Sequence, residues 1–324
     1  MKFNKFNNLI DLFFSVAEKQ KPDIVFLEWL NAVNRQKFTW SQTIESIFKF
    51  SKNLKQHINE GDRILLISEN RPEWLISDLS IMLSNGITVP AYTTYTEADY
   101  RYLIEDCTPS VVIVSNNAMH KKIEKIINEK DFIKKVVTLD YIPGINYQKK
   151  YIDFKSIIKT RLLEEDKIKN SSLKRISPAC IIYTSGTGGN PKGVILSHGG
   201  ILNNLEGADE ILEPLIDKNP VFLTWLPLSH SYEHTVQFVQ IAVAAKIYYA
   251  EKIEKLLDNI AEAKPTIMTA VPRFYQNLYN KINMKLQNST GLRSKLIKAT
   301  ISLGKKDLLK EKMNFFQKIL NSLL

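Results

Sequence analysis

Cysteine is almost missing from this chain, with only Cys107 and Cys180 among 324 residues. Neither sits in a CxxC spacing or a Cys/His cluster, which argues against a structural zinc or a disulfide framework and points to a reducing cytoplasm. Long apolar runs are lacking too. The best candidate, Thr235–Ala245, is broken by Gln237 and Gln240 and bounded by Lys246, so no segment is expected to span a membrane. Leu9–Ala17 follows Lys2 and Lys5 much as a signal sequence would, but Asp11 interrupts the run and Glu18 closes it, so secretion is not expected. Acidic residues are in deficit, 34 against 44 Lys and Arg, for a net charge of +10. The lysines are scattered in pairs such as Lys121-Lys122, Lys134-Lys135 and Lys305-Lys306 rather than gathered in a block. This describes a solvated surface with a bias toward anionic ligands or an anionic membrane face. Without stacked aromatics or a recognisable motif, charge alone does not make a nucleic-acid reader, and no nucleic-acid partner is expected.

What is present is a globular composition, 44% hydrophobic and 10% aromatic, with helical and strand periods alternating from about residue 39 onward. Thr39 and Gln42 form a capping-box pattern ahead of Ile44, Ile47, Phe48, Leu54 and Ile58 on one helix face. The continuous apolar stretch Arg63–Ser68 reads as a parallel strand covered on both sides. A helix from Glu73 to about Leu83, ended by Asn85-Gly86, then leads to a strand at Ile87–Ala91. Further strands are predicted at Val111–Ser115 and Val136–Leu139 with a helix near Lys121–Asn128 between them, and the polar, Lys-rich stretch from Asp140 to Arg175 reads as a connector. A second series begins at Ala179, with strands at Ala179–Tyr183, Gly193–Ser197, Val221–Leu226, Lys246–Tyr249 and Thr266–Ala270. Helices are predicted at Gly200–Leu212, Tyr232–Ala244, Ile253–Ala263 and Arg273–Leu286. The fold class expected is α/β, with βαβ-type layered sheets carrying helices on both faces. Two subdomains are expected, 1–175 including the connector and 176–324. The stretch Leu303–Leu324 reads as a basic amphipathic helix suited to covering a missing partner domain or to lying on a membrane surface.

The strongest chemical signal is Tyr183-Thr184-Ser185-Gly186-Thr187-Gly188-Gly189-Asn190-Pro191-Lys192-Gly193, directly after a buried-looking strand. Its four glycines permit a backbone whose N–H groups converge on one concavity, an anion-binding nest. The hydroxyls of Thr184, Ser185 and Thr187 add donors to phosphate oxygens, or a magnesium ligand in Thr184, and Lys192 adds a mobile positive charge. The string is not GxxxxGKS/T, because Pro191 stands five after Gly186 and Lys192 precedes Gly193. Nor is it GxGxxG, since Pro191 occupies the third glycine position. A plain Gly/Ser/Thr-rich surface hairpin is the competing reading.

These eleven residues closely resemble the phosphate-binding loop of the adenylate-forming superfamily, usually YTSGTTGxPKG, with Gly188 in place of the common Thr. Leu226-Pro227-Leu228-Ser229-His230-Ser231-Tyr232-Glu233 is similar to the LPLSHxxE segment of long-chain fatty acyl-CoA synthetases. Ser68-Glu69-Asn70-Arg71-Pro72-Glu73-Trp74 resembles their SENRPEW stretch, and Val271-Pro272-Arg273-Phe274-Tyr275 their VPRxY segment. The matches run from about Pro22 to Leu286. The resemblance implies a two-step ligation. A fatty acid carboxylate attacks the α-phosphate of ATP, and the thiol of coenzyme A then displaces AMP. Catalysis would rest on Lys192 and His230, with ATP held by Thr184, Ser185, Gly186, Thr187, Gly188, Gly189, Lys192 and Gly193, and Mg²⁺ by Thr184.

Alternatives stay open at several residues. A lone His230 can also serve as a hydrogen-bonded structural residue, Glu233 can cap its helix or hold the pocket, and Arg273 can be a surface or ion-paired residue. No string of the YGxTE or TGD type follows Arg273, and the small C-terminal domain of the family is expected to be absent. The chain is therefore expected to be an inactive N-terminal part of such a ligase. The competing readings are a nucleotide-binding module without ligase activity and a ligase for another carboxylic acid. The expected location is cytoplasmic, with peripheral contact at the inner membrane face.

Overall fold

The apolar run near the N-terminus is a core helix. In the computed structural model, which describes residues 2–169, 171–184, 191–216, 218–287 and 291–309, α1 spans Leu9–Ala17. Its Leu9, Ile10, Leu12 and Phe13 are fully buried. The Asn8 side chain caps it by accepting from the Asp11 amide. The chain then forms β1 (Val25–Trp29), β2 (Gln36–Thr39) and α2 (Trp40–Leu54). The Thr39/Gln42 capping box is present in both directions, each side chain bonding the other's backbone amide.

A βαβ series follows: β3 (Arg63–Ile67), α3 (Pro72–Leu83), β4 (Ile87–Ala91), α4 (Glu97–Cys107), β5 (Val111–Val114), α5 (Asn117–Glu129) and β6 (Lys135–Thr138). All twelve residues of α3 are buried, so its turn chemistry has to be exact. Asn85 takes the left-handed conformation, φ 59°, which Asn tolerates better than most side chains. The neighbouring Gly86 is required for space, because a Cβ there would lie 2.5 Å from Ile64 Cδ1. The stretch read as a connector contains β7 (Tyr151–Asp153) and α6 (Phe154–Ile158), too short to register as periodicity.

Beyond it lie β8 (Pro178–Thr184), β9 (Lys192–Ser197), α7 (His198–Leu212), β10 (Val221–Thr224), α8 (Ser231–Ala242), β11 (Lys246–Tyr249) and α9 (Leu256–Ala263). The strand expected at Thr266–Ala270 is reduced to a single bridge between Phe222 and Ile267. Pairing there centres on Val221, whose carbonyl accepts from the Thr266 amide (2.9 Å) and hydroxyl (3.2 Å) and whose amide donates to the Thr266 hydroxyl (3.0 Å).

Sheet membership does not follow the expected division near residue 175. A seven-stranded sheet has the order β7-β6-β5-β3-β4-β8-β9, so β8 and β9, the first two strands after 176, extend the sheet begun by β3. A four-stranded sheet, β10-β11-β1-β2, joins the N-terminal strands to those after residue 220. Compact units divide instead at Met1–Thr269 and Ala270–Leu324. Within the second, α10 spans Pro272–Gln287 and α11 Gly291–Leu308, while residues 310–324 of the amphipathic tail lie outside the described residues.

Alternation along β3 demonstrates the layering. Ile64 and Leu66 belong to one core with α1, α2, α3, α7 and α8, whereas Leu65 and Ile67 belong to a second core with α4 and α5. Side chains with period two therefore send apolar groups to both faces, and helices cover each face.

Candidate functional site

Thr184 and Lys192 face one another across the base of the β8–β9 hairpin, paired in antiparallel register and both exposed. Ser185, Gly186, Thr187, Gly188 and Gly189 lie outside the described residues. Gly193 pairs with Tyr183, and a Cβ on it would lie 2.9 Å from Ile181 Cγ2 and 3.2 Å from Tyr183 Cζ. This glycine therefore lets the Tyr183 ring cross the neighbouring strand. Two tyrosines tie the hairpin to α4 and its surroundings. Tyr183 donates to Asp106 in a short hydrogen bond, and Tyr102 donates to the Pro191 carbonyl at 2.9 Å. Burial, and then the Asp106 hydrogen bond, push the Tyr183 phenol far above its ordinary range, so it stays a donor.

β8 runs parallel to β4 with Cys180 beside Thr88, which puts Thr184 and Lys192 at the carboxyl edge of the sheet, where β4 also ends. Ligands of open α/β sheets gather at this edge. Here a cavity of about 210 Å³ opens between the segments that follow four strands: Ser68–Asn70 after β3, Tyr92–Thr94 after β4, Trp225–Ser229 after β10 and Ala250–Ile253 after β11. Asn70 fastens two of these segments together. Its amide donates to the Leu226 carbonyl (2.6 Å), and its carbonyl oxygen accepts from the Leu228 amide (3.1 Å). Two stretches singled out in the sequence, Ser68–Trp74 and Leu226–Glu233, are thus one structural unit.

His230 is exposed and caps α8, its Nδ1 accepting from the Tyr232 amide at 3.2 Å. Among the described residues it does not line the 210 Å³ cavity. Glu233, in the first turn of α8, is fully buried and accepts from the Thr269 hydroxyl at 2.9 Å. Its other carboxylate oxygen has no partner among the described residues. Burial pushes this carboxyl up to about 8, against the downward pull of the Thr269 hydrogen bond. It therefore belongs to the supporting interior behind the cavity. Arg273 is exposed in the first turn of α10.

The groups that sequence reasoning missed are the ones beneath the site. His234, one turn after His230, is buried and donates from Nε2 to Asp78 of α3 at 2.8 Å. Burial opposes the imidazolium charge, but the Asp78 carboxylate outweighs it and carries the His234 pKa up to about 10. Arg71, 1% exposed, makes two bonds of 2.9 Å to Glu73 and one of 3.0 Å to Asp140, and stacks 4.5 Å from the Trp29 ring centroid. The signal for Asp78 was available, since it stands among the apolar residues Leu75, Ile76, Leu79 and Met82 of α3 and a carboxylate buried there needs a partner.

The donor chemistry of the hairpin base suits a nucleotide–metal complex. Thr184 offers a hard hydroxyl oxygen of the kind Mg²⁺ accepts alongside phosphate oxygens and water, and Lys192 offers a point charge for phosphate. Both are exposed at the carboxyl edge, so a ligand can reach them.

A family model described as "AMP-binding enzyme" matches residues 13–323. A fatty acyl-CoA synthetase A of Dictyostelium discoideum is 30% identical over 244 residues, 73% of this chain and 36% of that protein. Long chain acyl-CoA synthetase 3 of Arabidopsis thaliana is 26% identical over 267 residues, covering 80% of this chain and 40% of its own length. The chain therefore spans well under half of these relatives. Among solved structures, a luciferase-like enzyme from the mealworm Zophobas morio superposes with TM-score 0.73 at 19% identity, over 86% of this chain and 63% of that one. ATP-bound MatB from Rhodopseudomonas palustris superposes with TM-score 0.67 at 23% identity, over 84% and 51%. At these identities the two structures establish the fold.

Proposed function

The chain belongs to the AMP-binding enzyme family, and from that membership we propose that it supplies the phosphate-handling part of an ATP-dependent long-chain fatty acid–CoA ligase. The observation that carries this reading is the position of the Thr184–Gly193 hairpin, whose two exposed ends stand at the carboxyl edge of the sheet. The names of its relatives, fatty acyl-CoA and long chain acyl-CoA synthetases, support an aliphatic carboxylic acid as substrate.

In this proposal the amides of Ser185 to Gly189, together with Gly193 and the Lys192 ammonium, hold the triphosphate while a carboxylate attacks the α-phosphorus. The P–O bond to pyrophosphate breaks, and an acyl adenylate and pyrophosphate result. The coenzyme A thiolate then attacks the acyl carbon, and AMP leaves with the bonding electrons. Both steps build negative charge on oxygen, which fixed donors stabilise without reorganising. Mg²⁺, held through Thr184 and phosphate oxygens, would offset the charge on the leaving pyrophosphate. His230, exposed at the N-terminus of α8, is proposed to line the acyl-adenylate pocket.

The 324 residues by themselves are proposed to bind ATP without sustaining turnover, because strings of the YGxTE and TGD type are not among them. We further place the protein in the cytoplasm with peripheral contact at the inner membrane face. Two free, buried cysteines and the net positive charge support this placement. Equilibrium ATP binding in Mg²⁺, run beside ATP–pyrophosphate exchange with palmitate, tests the reading. Binding without exchange is expected. Failure to bind ATP at saturating Mg²⁺ would remove the nucleotide site, and efficient acyl-CoA formation by this chain would overturn its inactivity alone.

A further inference from the structure

A cavity of about 790 Å³ lies outside the elements that carry the phosphate hairpin. It opens between the end of α1, the outer face of α2 and the segment 159–169. Its apolar floor is formed by Ile44 and Leu162, half-buried at the surface of the groove, over Trp40 and Phe48, which are almost fully buried beneath them. The aromatic members are rigidly held, Trp40 stacking on Phe26 with centroids 3.6 Å apart and Phe48 on Phe14 at 5.3 Å. An aliphatic chain laid on this floor therefore meets a preformed surface, and the volume lies within the range of small-molecule sites.

The rim carries the opposite character. Three of its lysines are already neutralised by neighbours: Lys49 by Glu45, Lys167 by Glu164 and Lys169 by Glu18. Lys159 and Arg161 are exposed and have no carboxylate within ion-pair distance among the described residues. A cation pair beside an apolar floor selects one ligand chemistry, a long aliphatic chain ending in an anion. A guanidinium beside an ammonium suits a carboxylate, which the planar fork can bind through two parallel bonds.

We propose that the groove between α1, α2 and segment 159–169 binds a single-chain anionic amphiphile, its chain along Ile44 and Leu162, which the buried Trp40 and Phe48 rings support from below, and its carboxylate against Lys159 and Arg161. The site is separate from the ligase reading, since no residue of the β8–β9 hairpin or the β10–α8 turn contributes to it.

Photolabelling with diazirine-tagged palmitate, kept below its aggregation concentration, tests this by location. After digestion, label is expected on peptides containing Trp40–Lys49 and Lys159–Lys169, unchanged in Lys192→Ala. The double charge reversal Lys159→Glu/Arg161→Glu, at two exposed positions that the fold does not need, should weaken uptake by about tenfold. Ile44→Asp should do the same from the apolar side. Equal groove labelling in all variants, or label confined to other peptides, overturns the proposal. So does protein that takes up no monomeric palmitate and binds only to phosphatidylserine vesicles, which would make the face a membrane contact.

Discussion

Asp78 Oδ2 and His234 Nε2 stand 2.8 Å apart in the fully buried space between α3 and α8, joining residues 156 positions apart in the chain. Trp74 meets the same imidazole edge-on at 5.1 Å. The pair fastens the helix that His230 caps to the helix that begins at Pro72, so the two segments flanking the 210 Å³ cavity share one internal anchor.

Removing one charge of this pair leaves the other buried and alone. Asp78→Asn is expected to cost about 3–5 kcal/mol of unfolding free energy, measured by urea denaturation near neutral pH. The pair also sets a pH dependence. His234 has a folded pKa of about 10, above its ordinary value, so its contribution is complete below about pH 6.5 and is lost as pH rises from there through 10. A variant whose stability curve over that window matches the wild type would show that the imidazole is neutral and the pair uncharged.

Glu233 works over a lower window. Its folded pKa of about 8 lies above the ordinary carboxylate value, so the folded state holds a proton that the unfolded chain releases. Stability through this group is full below about pH 4.3 and declines as pH rises through 8. Glu233→Gln keeps an acceptor for the Thr269 hydroxyl and removes the titration. The decline between those pH values should flatten in the variant, and parallel curves for the two proteins would place an ionised carboxylate at this position.

Asn70 makes two bonds to the backbone of the β10–α8 turn. Asn70→Ala leaves the Leu226 carbonyl and the Leu228 amide without them, at a cost of about 1–3 kcal/mol. Hydrogen exchange locates the effect: the Leu228 amide should lose protection while amides of β5 keep theirs. Uniform loss across both would mean that Asn70 supports the whole fold rather than this turn.

Lys192 is exposed at the hairpin base and is not needed for packing. Lys192→Ala is expected to leave thermal stability within about 0.5 kcal/mol. It should weaken ATP binding by about tenfold or more, as loss of a charged hydrogen bond does. In a longer form of the protein that sustains pyrophosphate exchange, the rate should fall on the order of 10² to 10³. Unchanged ATP affinity would remove Lys192 from the phosphate site.

Local chemistry determined a large share of this molecule from its sequence alone. The Thr39/Gln42 cap, Pro72 at the start of α3, and the apolar strands at Arg63, Ile87 and Lys246 follow from side-chain volume, hydrogen-bonding groups within a few residues, and period, all of which act within one turn or strand. Strands β8 and β9, which flank the glycine-rich segment, were legible for the same reason. Tertiary structure decided the rest. Nothing local says that β8 pairs with β4, that β1 joins β11 in the second sheet, or that Asp78 meets His234, because those contacts join distant stretches through shared burial. Burial also turns Glu233 into a weak acid and Gly193 into a seat for the Tyr183 ring, since the cost of a charge or a Cβ depends on atoms that only folding brings near.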